Sequence, residues 1–221
     1  MKRKNSDTYH HGNLKESLIQ TALEMLDQEG IEAITLRELA SRLGTSRSAI
    51  YRHFKGKEDL MRAVILEGFE KLDQAIAPHF EATEVPLLER FHAMGVSYTQ
   101  FATSHPNLYR LLFGGVMSQE REEVCLEERP DLHKLLNNQA DENIVAAEPE
   151  DAFHRLVKII VEAQNAQLFK AGDPVLLATT IWSLLHGLSM LAIDGHLSIV
   201  GNVDAIYETN YTLLLEGLLQ A

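Results

Sequence analysis

TLRELASRLGTSRSAIYRHF (residues 35–54) decides the fold. It reads as two short amphipathic helices joined by a tight turn. Thr35 has the side chain of an N-cap, and Glu38 stands three residues later, the spacing of a capping box. Leu36, Leu39, Ala40 and Leu43 make the apolar stripe of the first helix. Gly44 follows, where a left-handed turn suits a residue without a Cβ. Ser46 then caps a second helix, with Ala49, Ile50 and Phe54 inward and Arg47, Ser48, Tyr51, Arg52 and His53 outward. A helix-turn-helix that docks in a DNA major groove has this pattern, and so does a small soluble hairpin with a charged face.

Each outward residue suits a task on DNA. Arg47 and Ser48 lie in the first turn of the second helix, where base edges are met. An arginine that holds two acceptors of one guanine discriminates by about 1–3 kcal/mol. Tyr51, Arg52, His53, Lys55 and Lys57 suit phosphate contacts, which position without specifying. Thr35, Thr45 and Ser46 at the helix starts, with His10 and His11 upstream, complete the candidate DNA-facing set.

The sequence resembles TetR-family transcriptional regulators. The resemblance rests on Thr35, Leu36, Leu39, Ala40, Leu43, Gly44, Ser46, Ile50, Tyr51, His53 and Phe54, followed by Lys57, Glu58 and Leu60. YRHFKGKEDL (residues 51–60) is its most specific run, and YHHGNLKESLI (residues 9–19) resembles the start of the first helix in one subgroup. Trp182, His186 and Gly187 form W-x-x-x-H-G, similar to the motif that names one class of TetR ligand domain. HPNLYRLLFG (residues 105–114) fits that class. The resemblance implies a homodimer with a three-helix DNA-binding head, a linking fourth helix and a helical ligand-binding body. It implies a repressor of double-stranded DNA operators, released by an unidentified small molecule. A DNA-bound adaptor whose body takes a protein partner is the alternative.

Charge divides the 221-residue chain unevenly. Residues 1–60 carry 10 Lys+Arg against 9 Asp+Glu, net +1; residues 61–221 carry 10 against 23, net −13. DNA repels such a body, so contact through the first part alone is expected. Cys125 is the only cysteine, which excludes an intrachain disulfide and points to the cytoplasm. Glu123, Glu127 and Glu128 around it disfavour a thiolate, so no redox switch is expected. MKRKNSDTYHHGN (residues 1–13) lacks the apolar core of a signal peptide. Residues 1–11 read as a basic arm, compatible both with disorder and with a phosphate or minor-groove contact.

The expected architecture is all-α: arm 1–11, DNA-binding domain 12–72, ligand-binding and dimerisation domain 73–221. Leu14, Leu18, Ala22, Met25 and Leu26 make the inner stripe of a first helix ending at Gly30. A linker helix is predicted from Lys57 to about Ala77, stopped by Pro78. Further helices are expected from Leu87, from His105-Pro106 to Phe113, within 118–147, and over about 150–170, 174–194 and 203–219. Val175 to Ile193 carries no charge, but Thr179, Thr180, Ser183, His186 and Ser189 interrupt it and Asp173 and Asp194 flank it. A helix buried at the centre of a dimer fits better than a membrane span.

Phe91, Met94, Tyr98, Phe101, His105, Tyr109, Phe113, Trp182, His186 and Met190 are the candidate ligand pocket, since aromatics and Met with few polar tips suit an apolar ligand. The same spacing also describes plain core. Leu185, Leu188, Leu191, Tyr207, Tyr211, Leu214 and Leu218 are the candidate dimer interface. His105, His154 and His186 are candidate bases, but no G-x-S-x-G, phosphate loop, H-E-x-x-H or Cys-x-x-Cys accompanies them. No enzyme, cofactor or metal site is expected.

Overall fold

The computed structural model describes residues 14–114, 151–199 and 201–219. Among them are nine α-helices: α1 Leu14–Glu29, α2 Leu36–Arg42, α3 Arg47–Ile50, α4 Lys57–Glu81, α5 Leu87–Ser104, α6 Pro106–Phe113, α7 Ala152–Asn165, α8 Pro174–Ile193 and α9 Val203–Leu218. No strand occurs among the described residues; one isolated bridge joins Phe169 and Leu219. Contacts divide the chain between Val64 and Ile65, inside α4, into a head and a body. The arm, His10, His11, Cys125 and the expected helix within 118–147 lie outside the described residues.

The head closes on Leu18, Met25, Leu26, Ile34, Leu39, Ile50, Leu60 and Met61, each nearly or fully buried. Local chemistry sets its helices. Thr35 Oγ1 accepts the Glu38 N–H at 3.1 Å and Ser46 Oγ accepts the Ala49 N–H at 3.2 Å. Gly44 has φ +59, the left-handed turn that its lack of a Cβ permits. The expected capping box is only half made. The Glu38 carboxylate turns from the backbone to Arg42 Nε at 3.0 Å, and Arg42 also reaches Glu29 at 2.7 Å. The charged Arg42 guanidinium outcompetes the single Thr35 N–H.

In the body, Asp151 and Asp173 cap α7 and α8, each accepting two backbone N–H groups, and Asn202 caps α9. Contrary to expectation, α4 passes through Pro78 to Glu81. Near a helix end a proline removes only one hydrogen bond, and the turn beyond it is tied down. Buried Arg90 of α5 donates to the Phe80 carbonyl and pairs with Glu162 of α7 at 2.7 Å, its guanidinium 5.6 Å from the Phe80 ring. Arg155 of α7, also buried, pairs with Asp73 and Glu81 of α4. Such pairs stabilise only when geometry and further hydrogen bonds offset desolvation.

Candidate functional site

Helix α3 is only four residues long, continued by turns to His53. Its inner side is fixed by Ala49, Ile50 and Phe54, all buried. Arg47, Ser48, Tyr51, Arg52 and His53 are exposed, Tyr51 by 57%. Ser48 Oγ lies 2.9 Å from the capping Ser46 Oγ. The other four side chains meet no hydrogen-bond or ionic partner among the described residues, nor does exposed Lys55. Thr35 and Ser46 are exposed but spend a lone pair as caps, and Thr45 is half-buried. Lys57 is also half-buried, its Nζ 3.5 Å from the Ile31 carbonyl. The sequence reading missed Arg37, in the first turn of α2, exposed and equally without a partner. Its signal was its place two residues after the Thr35 cap, where an arginine gains nothing from the helix dipole.

The body holds a partly open cavity of about 280 Å³. Phe69, Leu72 and Ile76 of α4, Phe91, Met94, Gly95 and Tyr98 of α5, and Leu112 and Phe113 of α6 form part of its wall. Asp151, Ala152, Phe153 and Leu156 at the start of α7, Ile181, Trp182, Leu184 and Leu185 of α8, and Tyr207, Asn210, Tyr211 and Leu214 of α9 complete it. The rings interlock edge to face: Phe69 with Phe113 at 5.8 Å and Phe153 with Trp182 at 5.9 Å between centroids. Gly95 permits a close approach, because a Cβ there would stand 2.4 Å from the Tyr207 hydroxyl oxygen. That hydroxyl donates to the His92 carbonyl at 2.8 Å, and Tyr211 donates to the Leu88 carbonyl at 3.0 Å.

Of the expected pocket residues, Phe91, Met94, Tyr98, Phe113 and Trp182 line this cavity. Phe101, His105, Tyr109, His186 and Met190 do not. Helical spacing placed them on the right helices, but they fall behind the wall or beyond its reach. Tyr109 is fully buried and His186 half-buried, tied into a chain from Trp182 Nε1 to the Tyr98 hydroxyl (2.9 Å), the Tyr109 hydroxyl (2.7 Å) and His186 Nδ1 (2.7 Å). Burial lowers the His186 pKa, which keeps the ring neutral, and pushes the Tyr109 hydroxyl up to about 12. One proton order satisfies the chain: each hydroxyl donates towards His186, whose Nδ1 accepts. His186 thus orients the wall from behind, and the sequence missed the α4 and α7 residues and Asn210.

The single chain divides the expected dimer residues among different surroundings. Leu188, Tyr207 and Leu218 are buried within the single chain, and Leu185, Tyr207, Tyr211 and Leu214 line the cavity. Only Leu191 is exposed. The outward apolar residues of α8 and α9 are instead Leu176 (66%), Leu184, Leu191 and Leu213 (61%). The uncharged run that the sequence reading buried at the centre of a dimer therefore leaves Leu176, Leu184 and Leu191 of α8 exposed on the single chain. By length and composition α8 is able to cross a membrane, with 22% of its most apolar window buried. Its Asp173 cap and the ion pair of Asp194 with Arg110 at 2.7 Å put charge at both ends.

Residues 18–64 match the family described as bacterial regulatory proteins, tetR family, and residues 91–214 match tetracyclin repressor-like, C-terminal domain. The class C tetracycline repressor protein of Escherichia coli is 48% identical over 50 residues, 23% of either chain. Nucleoid occlusion factor SlmA of Vibrio cholerae is 33% identical over 113 residues, 51% of this chain and 57% of that protein. The chain thus spans between about a quarter and just over half the length of these curated relatives. A protein of unknown function from Rhodococcus sp. RHA1 superposes with TM-score 0.74 at 28% identity, covering 97% of this chain and 100% of that one. The ketosteroid transcriptional regulator KstR2 of Mycobacterium tuberculosis shares the fold alone, with TM-score 0.59 and 16% identity over 99% of this chain and 98% of that one.

Proposed function

The chain belongs to the TetR family of bacterial regulatory proteins, and from that premise we propose that it is a homodimeric, ligand-responsive DNA-binding transcriptional regulator, a repressor released from a palindromic operator by a small, mostly apolar molecule. One observation carries the DNA-binding reading: a capped helix and the turn that continues it present Arg47, Tyr51 and Arg52 outward with no partner among the described residues. Cationic and aromatic side chains left idle on a rigid helix suit base edges and phosphates. The supporting division of labour is residues 12–72 for DNA, 73–221 for ligand and partner subunit, and a cytoplasmic location. Catalysis has no place in this reading.

Dimerisation through Leu176, Leu184, Leu191 and Leu213 fits two heads in successive major grooves, roughly 34–36 Å apart. The cavity offers the release. Helix α4, which begins at Lys57, lines it with Phe69, Leu72 and Ile76. A ligand that displaces this helix alters the spacing that two half-sites require. Binding the released form about 100-fold more tightly contributes about 2.7 kcal/mol.

The test is selection from random-sequence duplex DNA at near-physiological salt. The expected result is an enriched two-fold motif, lost when Leu191 and Leu213 are both replaced by Glu. Only weak, salt-sensitive binding without a motif overturns the reading. A second reading, a DNA-bound adaptor for a protein partner, has the likeness to the nucleoid occlusion factor behind it. It gains if operator binding persists with the cavity filled by Met94→Trp and no small molecule alters it.

A further inference from the structure

The cavity wall is apolar but for a few groups, and nearly all of these are committed. The hydroxyls of Tyr207 and Tyr211 donate to backbone carbonyls, and the Trp182 indole N–H donates to Tyr98. Asp151 is 4% exposed, and its Oδ1 accepts the N–H groups of Phe153 and His154 at 2.8 and 2.9 Å. Its Oδ2 lies 3.2 Å from His154 Nδ1. Asn210 differs. It lines the cavity between Tyr207 and Tyr211 on α9, and its amide meets no partner among the described residues.

These groups make unequal demands on a ligand. Removing an anion from water is costly unless the site supplies a counter-charge, and beside a carboxylate the repulsion adds to that cost. An uncharged carbonyl loses little if it finds one donor, and Asn210 has two N–H bonds to give. Flat rings suit walls built from Phe69, Phe113 and Trp182.

We propose that the cavity selects an uncharged, flat ring compound whose single carbonyl is held by the Asn210 amide, and that Asp151 excludes carboxylates of the same shape. This inference rests on the reading of the cavity as the effector site. Asp151 then acts through its charge, and Asn210 as a specificity-determining contact.

Three probes with one ring system and one point of attachment test it by equilibrium dialysis against the full-length protein: acetylnaphthalene, naphthoate and ethylnaphthalene. Acetylnaphthalene is expected to bind about tenfold or more tightly than naphthoate. Asp151→Asn keeps a capping side chain and removes the charge, so naphthoate should gain about tenfold while acetylnaphthalene stays unchanged. Asn210→Leu should weaken acetylnaphthalene about three- to tenfold and spare ethylnaphthalene. Asn210→Ala checks that the loss does not come from the bulk of leucine, and circular dichroism checks the fold of each variant. Naphthoate binding as well as acetylnaphthalene, or an Asn210 variant that discriminates like the wild type, overturns the inference and leaves the effector site standing. Binding of none of the three up to their solubility overturns both.

Discussion

Head and body are built from the same capped helices, yet they treat polar side chains in opposite ways. In the head, Arg37, Arg47, Arg52 and His53 stand exposed without a side-chain partner among the described residues. In the body, Arg90, Arg155, Tyr98, Tyr109 and His186 are all spent on one another or on neighbouring helices. An unpaired cation in water costs the head little, whereas an unpaired one inside the body costs several kcal/mol. Idle polar groups on a rigid surface therefore suit an external partner, and committed ones suit the shaping of a hollow.

The contrast breaks first at the arginines. Arg155→Ala removes a buried partner of both Asp73 and Glu81 and should cost about 3 kcal/mol in urea unfolding. A loss below about 1 kcal/mol would put this pair in the class of surface ion pairs. Arg47→Ala should do the reverse. Unfolding should stay within about 0.5 kcal/mol, while affinity for the selected DNA falls by about 1–3 kcal/mol and preference relaxes at one base position. Equal weakening on all sequences would make Arg47 a phosphate contact. Lys57→Ala should have the smaller effect on affinity, because Ile31 already holds the ammonium. Gly44→Ala comes next in size. Its φ of +59 should make the change cost about 1–2 kcal/mol in thermal unfolding, and no shift would mean the turn relaxes freely.

The head was legible because its determinants are local. A cap, a stripe and a left-handed glycine lie within 20 residues, and each specifies backbone a few positions away. The described helices of the body were legible for the same reason, Pro78 excepted. Its hollow was not. Phe91, Met94, Tyr98 and Phe101 share one helical face, yet three line the cavity and Phe101 does not. Periodicity says which side is inward, and only the neighbouring helices decide whether inward means packed or open. Likewise α8 is apolar all round, so its sequence carried no mark separating Leu188, buried, from Leu191, exposed. Asn210 escaped notice because a lone amide between two tyrosines has no pattern.

The smallest expected effect tests whether the body's polar chain behaves as a spent network. Burial lowers the His186 pKa below its ordinary value of 6.5, so folding favours the neutral ring. The unfolded chain then binds more protons than the folded one just below that value, and stability must rise with pH there. His186 therefore contributes fully above about pH 6.5, and its contribution is lost as the pH falls through the window below. Asparagine offers Tyr109 an acceptor near the place of Nδ1 but has no proton to take. His186→Asn should thus unfold at a temperature that falls less than the wild type's between about pH 7 and 5. The difference should be modest, because His186 is only half-buried. If both proteins lose stability in parallel, the ring titrates as freely as it does in the unfolded chain. The chain from Trp182 to His186 would then be less committed than its distances imply.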